Sequence, residues 1–213
     1  MNIRIISAVV STVLSSACFY AHASLVTNGS FETGSFVDTD GTPATAMSLA
    51  LGATDMTGWA VFGDKVTWIK EPSFGLTAPD GEYFLDLTDY QSGSPFGGVR
   101  QTIATTAGQA YRVSFQLGSD TRYGLPSGLT VTAGATSQGF STNAAGPDAW
   151  TTYSMDFVAN GSSTLLGFLG NAGQNYIGLD NVSVNAIPAP GTLALVGLGL
   201  GLVGLGLGRR KTA

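Results

Sequence analysis

Asp80, Glu82, Asp86 and Asp89 lie close together in the sequence, and a suitably spaced pair of carboxylates is enough to hydrolyse a glycosidic bond. On a strand Glu82 and Asp86 share a face, about 13 Å apart at the usual rise. Retaining and inverting glycosidases need roughly 5 to 9.5 Å. These acids therefore read as a solvated strand face, and a catalytic pair drawn from different strands stays open. Asp38-Thr39-Asp40-Gly41 has the start of a calcium loop but no downstream Glu, so it reads as an acidic surface turn. For sugar binding, ring faces stack on exposed aromatics while amides, carboxylates and Arg take the hydroxyls. Trp68, Tyr90, Tyr123, Arg100 and Arg122 fall in or near predicted loops and are the candidates. Trp59 and Trp150 follow turns and enter strands, so both read as core; Trp68 has core packing as its competing role.

What is missing narrows the chemistry further. The chain has one Cys and one His, Cys18 and His22. Both precede Ala23, in a segment with the layout of a secretory leader. Arg4 supplies the positive start, residues 5–17 an apolar stretch, and Ala21-His22-Ala23 the small-x-small cleavage pattern. Cleavage after Ala23 leaves a mature chain without either residue. Ser-His-Asp and Cys-His catalysis are then excluded, as are disulfides and zinc sites built on His or Cys. Carboxylate-only chemistry survives.

The other end is equally organised. Residues 192–208 form an uncharged run of Leu, Gly, Val and Ala, and Arg209-Arg210-Lys211 follows at once. As a helix this run covers roughly 25 Å, a short transmembrane helix against a hydrocarbon core of ~30 Å. The basic residues place its end in the cytoplasm. Pro188-Ala189-Pro190, the short apolar helix and the basic end together resemble the PEP-CTERM sorting tail of Gram-negative bacteria, with Ala189 where that signature has Glu. The resemblance implies recognition by an exosortase-type processing enzyme at the inner membrane. The expected organisation is a signal peptide over 1–23, one domain over 24–187 and a sorting tail over 188–213. The expected route is export through the Sec pathway, transient anchoring in the inner membrane, then the cell surface or the extracellular space.

All fourteen acidic residues fall in 24–187, against five basic ones, giving this stretch a formal charge of −9. No basic footprint for nucleic acid is present, and the carboxylates are suited to divalent cations. Its pattern is strand after strand. Tyr111, Val113, Phe115 and Leu117 alternate with Arg112, Ser114 and Gln116, the period of a half-buried strand. Tyr153, Met155 and Phe157 repeat it, as do Tyr83, Leu85 and Leu87, and Val99, Gln101 and Ile103. Further strands are expected at 25–26, 59–62, 65–69, 129–133, 138–141, 164–169 and 177–184, with turn signals such as Asp80-Gly81 and Asn160-Gly161 between them. Residues 34–57 are small and polar, and predict a long loop with one short helix or strand near 46–51. In the last strand Ile177 and Leu179 have one parity, Val182 and Val184 the other. A bulge near Asp180-Asn181 would return both pairs to the core and re-aim Asp180. About ten short strands make an all-β antiparallel sandwich.

The opening Leu25-Val26-Thr27-Asn28-Gly29-Ser30-Phe31-Glu32, then Gly58-Trp59, Asp80-Gly81-Glu82-Tyr83-Phe84-Leu85-Asp86-Leu87, Val99-Arg100-Gln101-Thr102-Ile103, Gly108-Gln109-Ala110-Tyr111 and the closing Leu179-Asp180-Asn181-Val182-Ser183-Val184 resemble galactose-binding-like jelly rolls. The choice-of-anchor C proteins, a cell-wall-associated plant domain and several carbohydrate-binding modules share this order. The resemblance implies neighbouring first and last strands with one structural calcium ion beside them, held here by Glu32 and Asp180, with Asn28 adding its side chain. A solvated pair of turn carboxylates is the alternative. The expected function is a non-enzymatic exported protein that binds extracellular polysaccharide or cell-envelope glycan. A structural biofilm protein without a discrete ligand site is the alternative, and a carboxylate-based glycan hydrolase ranks below both.

Overall fold

The computed structural model describes residues 23–39, 41 and 45–188. The predicted leader up to residue 22, Asp40, and the tail from Ala189 onward, with Pro190, Arg209, Arg210 and Lys211, lie outside the described residues. Pro188 is exposed at their edge.

The strands in chain order are β1 (Ala46–Leu49), β2 (Ala60–Phe62), β3 (Val66–Lys70), β4 (Tyr83–Asp86), β5 (Gly98–Ala104), β6 (Ala110–Ser119), β7 (Ser127–Ala133), β8 (Thr136–Thr142), β9 (Ala149–Val158), β10 (Ser163–Ala172) and β11 (Gly178–Ala186). They form two antiparallel sheets. Sheet A runs β1-β3-β4-β11-β6-β9 and sheet B runs β2-β5-β10-β7-β8. The expected all-β antiparallel sandwich is therefore what the chain folds into. The alternation read from the sequence sets the inner faces: Val113, Phe115 and Leu117 of β6 share one buried cluster with Val99, Ile103, Leu129, Val131, Leu166 and Phe168 of sheet B. Phe115 and Phe168 meet across the sandwich with ring centroids 5.3 Å apart.

The first segment reaches β11 without forming a ladder. Leu25 N–H donates to Val184 O and Val182 N–H to Gly29 O, both at 2.9 Å. The bulge forms where the phase change places it. Asp180 pairs with Gln116 and Ser183 with Ser114, so Asn181 and Val182 stand opposite Phe115 alone. Asn181 takes a left-handed φ of 50°, and Ile177, Leu179, Val182 and Val184 are all buried. Above the bulge β11 lies beside the first segment; below it, Gly178 and Leu179 pair with β4. Asp180 stands where one neighbour gives way to the other.

Sheet A also carries an outer layer that alternation alone does not predict. Ala46, Ile69, Leu76, Phe84 and Tyr176 form a second buried cluster, with Phe74, Ala78, Tyr123 and Trp150 packed against it. Ile69 and Phe84 point away from the main core, and loops arriving from three places in the sequence cover them.

Candidate functional site

One row of residues crosses the outer face of sheet A: Ser48, Thr67, Asp86, Gly178, Gly118 and Trp150, each paired with the next. The two central positions must be glycine because rings lie on them. A Cβ on Gly178 would stand 2.4 Å from Tyr176 Oη, and one on Gly118 would stand 2.9 Å from the Trp150 ring. Glycine inside a strand often marks such a close approach.

Loops wall this face. The short 3₁₀ turn Ser73–Gly75 accepts hydrogen bonds from the 120–126 loop: Tyr123 Oη donates to Phe74 O at 2.9 Å, and Arg122 Nη2 to Gly75 O at 3.1 Å. Trp150 Nε1 donates to Thr77 O at 3.1 Å, and the Asp148 carboxylate accepts from both the N–H and the hydroxyl of Thr77. Between the loops lies a cleft of about 250 Å³. It is lined by the rings of Phe74, Tyr90, Tyr123 and Tyr176, by Ile69 and Leu76, and by Asp86 and Asn175. Phe74 and Tyr90 sit 5.2 Å apart, Tyr123 and Tyr176 6.1 Å apart, between ring centroids.

Asp86 is 1% exposed. Its Oδ1 accepts from the N–H groups of Thr88 and Ile177 and from Thr88 Oγ1, each at 2.9 Å, and Oδ2 accepts from Tyr90 N–H at 3.3 Å. Burial pushes its carboxyl up to about 6 despite these bonds, which work the other way. The reading of Asp86 as part of a solvated strand face with Glu82 is thus corrected. Glu82 does face solvent, 3.1 Å from Lys70 Nζ, but Asp86 lies under loops that local spacing cannot reveal. Tyr176 Oη is buried and has no hydrogen-bond partner. Burial, and after it the charge on Asp86, holds this phenol well above its ordinary value.

Of the five sequence candidates for sugar contact, Tyr90 and Tyr123 line the cleft. Arg122 stands next to it, with its guanidinium 5.4 Å from the Tyr123 ring centroid. Its charge faces buried Asp120, to which Nη2 donates at 2.5 Å, so Arg122 braces the loop. Trp68 is placed elsewhere: it is 1% exposed in the main core and donates from Nε1 to Phe31 O at 3.0 Å. Arg100 lies on the outer face of sheet B, 5.6 Å over the Phe62 ring. Phe74, Asp86, Asn175 and Tyr176 were missed as cleft residues; the glycines at 118 and 178, in otherwise regular strands, were the signal that could have pointed there.

A second constellation gathers around the turn at Asp80-Gly81. Glu32 Oε1 accepts from the N–H groups of Glu82 and Tyr83 at 3.0 and 2.8 Å. Asp180 Oδ2 accepts from Asp80 N–H at 3.2 Å, and Asp80 Oδ2 accepts from Ser30 Oγ at 2.5 Å. Glu32 and Asp180 therefore grip one turn from two sides, with Asp80 between them. Asp180 is fully buried. Burial, reinforced by the neighbouring charges of Asp80 and Glu32, pushes its carboxyl up to about 8. Asn28 does not join them: its amide donates to Thr33 O and Thr57 O, and its Oδ1 accepts from Thr33 N–H. Among the described residues no three His, Cys, Asp or Glu side chains converge as a metal group. A hard cation beside Asp180 would suit these oxygens and offset the buried charge, but it would take most of its six to eight ligands from main chain and water.

Residues 24–184 match the family described as protein of unknown function (DUF642), and the chain belongs to that family. No curated protein matches it. Among solved structures it is similar to TmCBM61 in complex with β-1,4-galactotriose, at 18% identity over 78% of this chain and 100% of that one, with a TM-score of 0.45. It is similar to a family 35 carbohydrate-binding module from Clostridium thermocellum at 13% identity, over 66% of this chain and 99% of that one, with a TM-score of 0.43. An adhesin domain of Lys-gingipain from Porphyromonas gingivalis matches at 14% identity, over 68% of this chain and 99% of that one, with a TM-score of 0.47.

Proposed function

We propose that this DUF642-family chain is an exported, non-enzymatic surface or matrix protein that binds extracellular polysaccharide, with the cleft on sheet A as its sugar site. The observation that carries the reading is the cleft itself. Four aromatic rings line one concave space of about 250 Å³, and stacked rings with a few fixed polar groups are what a sugar needs. The loops that hold the rings are tied to one another before any ligand arrives, so little ordering is left to be done on binding. Hydrolysis is disfavoured at this site. Asp86 is the one carboxylate lining it, and it already accepts from the backbone of three residues, so an acid and base pair is lacking.

Calorimetric titration of the purified protein against a panel of neutral and acidic polysaccharides tests the reading. Saturable binding is expected. Tyr90→Ala should weaken it about tenfold, which is about 1.4 kcal/mol, with the melting temperature unchanged. Non-saturable self-association without sugar binding would instead mark a matrix protein lacking a ligand site.

Export and sorting complete the proposal: the leader is removed after Ala23, and the Pro188-Ala189-Pro190 tail is handled by an exosortase-type enzyme. Intact mass of the extracellular form reads both ends at once. Calcium is proposed as a structural ion at Glu32 and Asp180. A chelator should lower the melting temperature of the wild type and leave Glu32→Gln, already lower, where it is; saturation at a hundred times Kd corresponds to about 2.7 kcal/mol.

A further inference from the structure

The cleft's small size and its sparse polar lining say more about the ligand than that it is a sugar. A volume of about 250 Å³ is the room of about eight water molecules, below the roughly 300 Å³ where pockets for drug-sized ligands begin. It suits a single sugar ring. Its lining offers no cation: Asp86 and Asn175 are the residues there with polar side chains besides the tyrosines. The nearby Arg122 does not compensate, because its guanidinium is ion-paired with Asp120 and donates to Gly75 O. A carboxylate entering the cleft would meet Asp86 with no counter-charge between them, in a space where water screens poorly.

Tyr176 adds no polar contact, because its Oη is buried against Gly118 and Gly178 on the sheet floor.

We infer that the cleft takes an uncharged, hydroxyl-bearing sugar ring and turns away uronates, with Asp86 as the residue that sets this selectivity. The inference rests on the cleft being the sugar site. Asp86 does not contact the sugar as a strong acceptor, since its oxygens are occupied by Thr88, Tyr90 and Ile177. It acts through its charge. That separates two properties: neutral affinity comes from the rings, and discrimination comes from the carboxylate.

The test compares neutral gluco- and galacto-oligosaccharides with glucuronate and galacturonate oligosaccharides of equal length, titrated into the full-length mature protein. The wild type should favour the neutral sugar by tenfold or more. Asp86→Asn keeps the shape and most of the acceptor geometry. It should gain uronate binding until the two affinities lie within about threefold. Equal uronate and neutral binding by the wild type overturns the inference even if no variant folds. An unchanged preference in folded Asp86→Asn overturns the role of that residue. Absence of binding to every sugar overturns the reading of the cleft itself, a different failure from lost selectivity.

Discussion

The outer faces of the two sheets follow the same alternation and end in opposite environments. On sheet B, Arg100, Thr102 and Leu165 point outward and are exposed. On sheet A, Ile69, Phe84 and Asp86 point outward and are buried. The difference is the loop cover, with residues 71–78, 120–126 and 173–177 folded over one end of sheet A. Period-two patterning says which side chains leave the main core. It does not say whether they then meet water. Where a second layer exists, an outward position needs the chemistry of an interior one: an aromatic ring, a glycine beneath a ring, or a carboxylate with its hydrogen bonds filled.

Substitutions at matched outward glycines give the largest contrast. Gly118→Val should be strongly destabilising, by about 1 to 3 kcal/mol for overpacking, because its Cβ has Tyr176 Oη at 2.7 Å and the Trp150 ring at 2.9 Å. Gly139→Val on sheet B has Asn171 Nδ2 as its nearest neighbour, at 3.7 Å, an ordinary contact, and valine favours strands. Its melting temperature should hold or rise. Equal losses at the two sites in thermal denaturation would erase the distinction between the faces.

A smaller effect should appear in the pH dependence of stability. The Asp86 carboxyl is raised from 3.8 to about 6, so between these values the folded state keeps a proton that the unfolded state has released. Stability due to this group is present below pH 4, falls as the pH rises through 4 to 6, and is gone above about 6, by about 3 kcal/mol at most. Asp86→Asn should flatten that part of the profile relative to wild type in chemical denaturation series. A wild-type slope retained in the variant would mean that Asp86 is solvated. The smallest effect marks where the cover ends. Arg112 and Asp156 pair across β6 and β9 at 2.7 Å, both about half exposed, and Arg112→Ala should leave the melting temperature essentially unchanged.

These contrasts also explain what was legible in the sequence. The alternations of β4, β5, β6 and β9 were readable because each carries its own period. The bulge was readable because the parity of Ile177 and Leu179 conflicts with that of Val182 and Val184. Among the described residues, the strand in the 34–57 stretch appears at Ala46–Leu49, within the predicted window. Asp86 was misread because Tyr123 and Tyr176 come to it from distant positions, and no local spacing encodes a loop closing over a strand end. Trp68 divides the other way: its place in the expected strand 65–69 sets its parity, while its nearness to the strand's end left a ligand role open beside core packing. The role of Arg122 was half visible, since Asp120 lies two residues before it and turns often join such pairs.

The bulge in β11 has a consequence for how this chain can change over generations. Loss of Asn181 would leave Leu179, Val182 and Val184 opposite Leu117, Phe115 and Val113 in one unbroken alternation, so the core would keep both valines. What the deletion would remove is the kink beside Asp180, whose carboxylate accepts from Asp80 N–H at the Asp80-Gly81 turn. The extra residue thus serves the acidic constellation and is dispensable to the hydrophobic core.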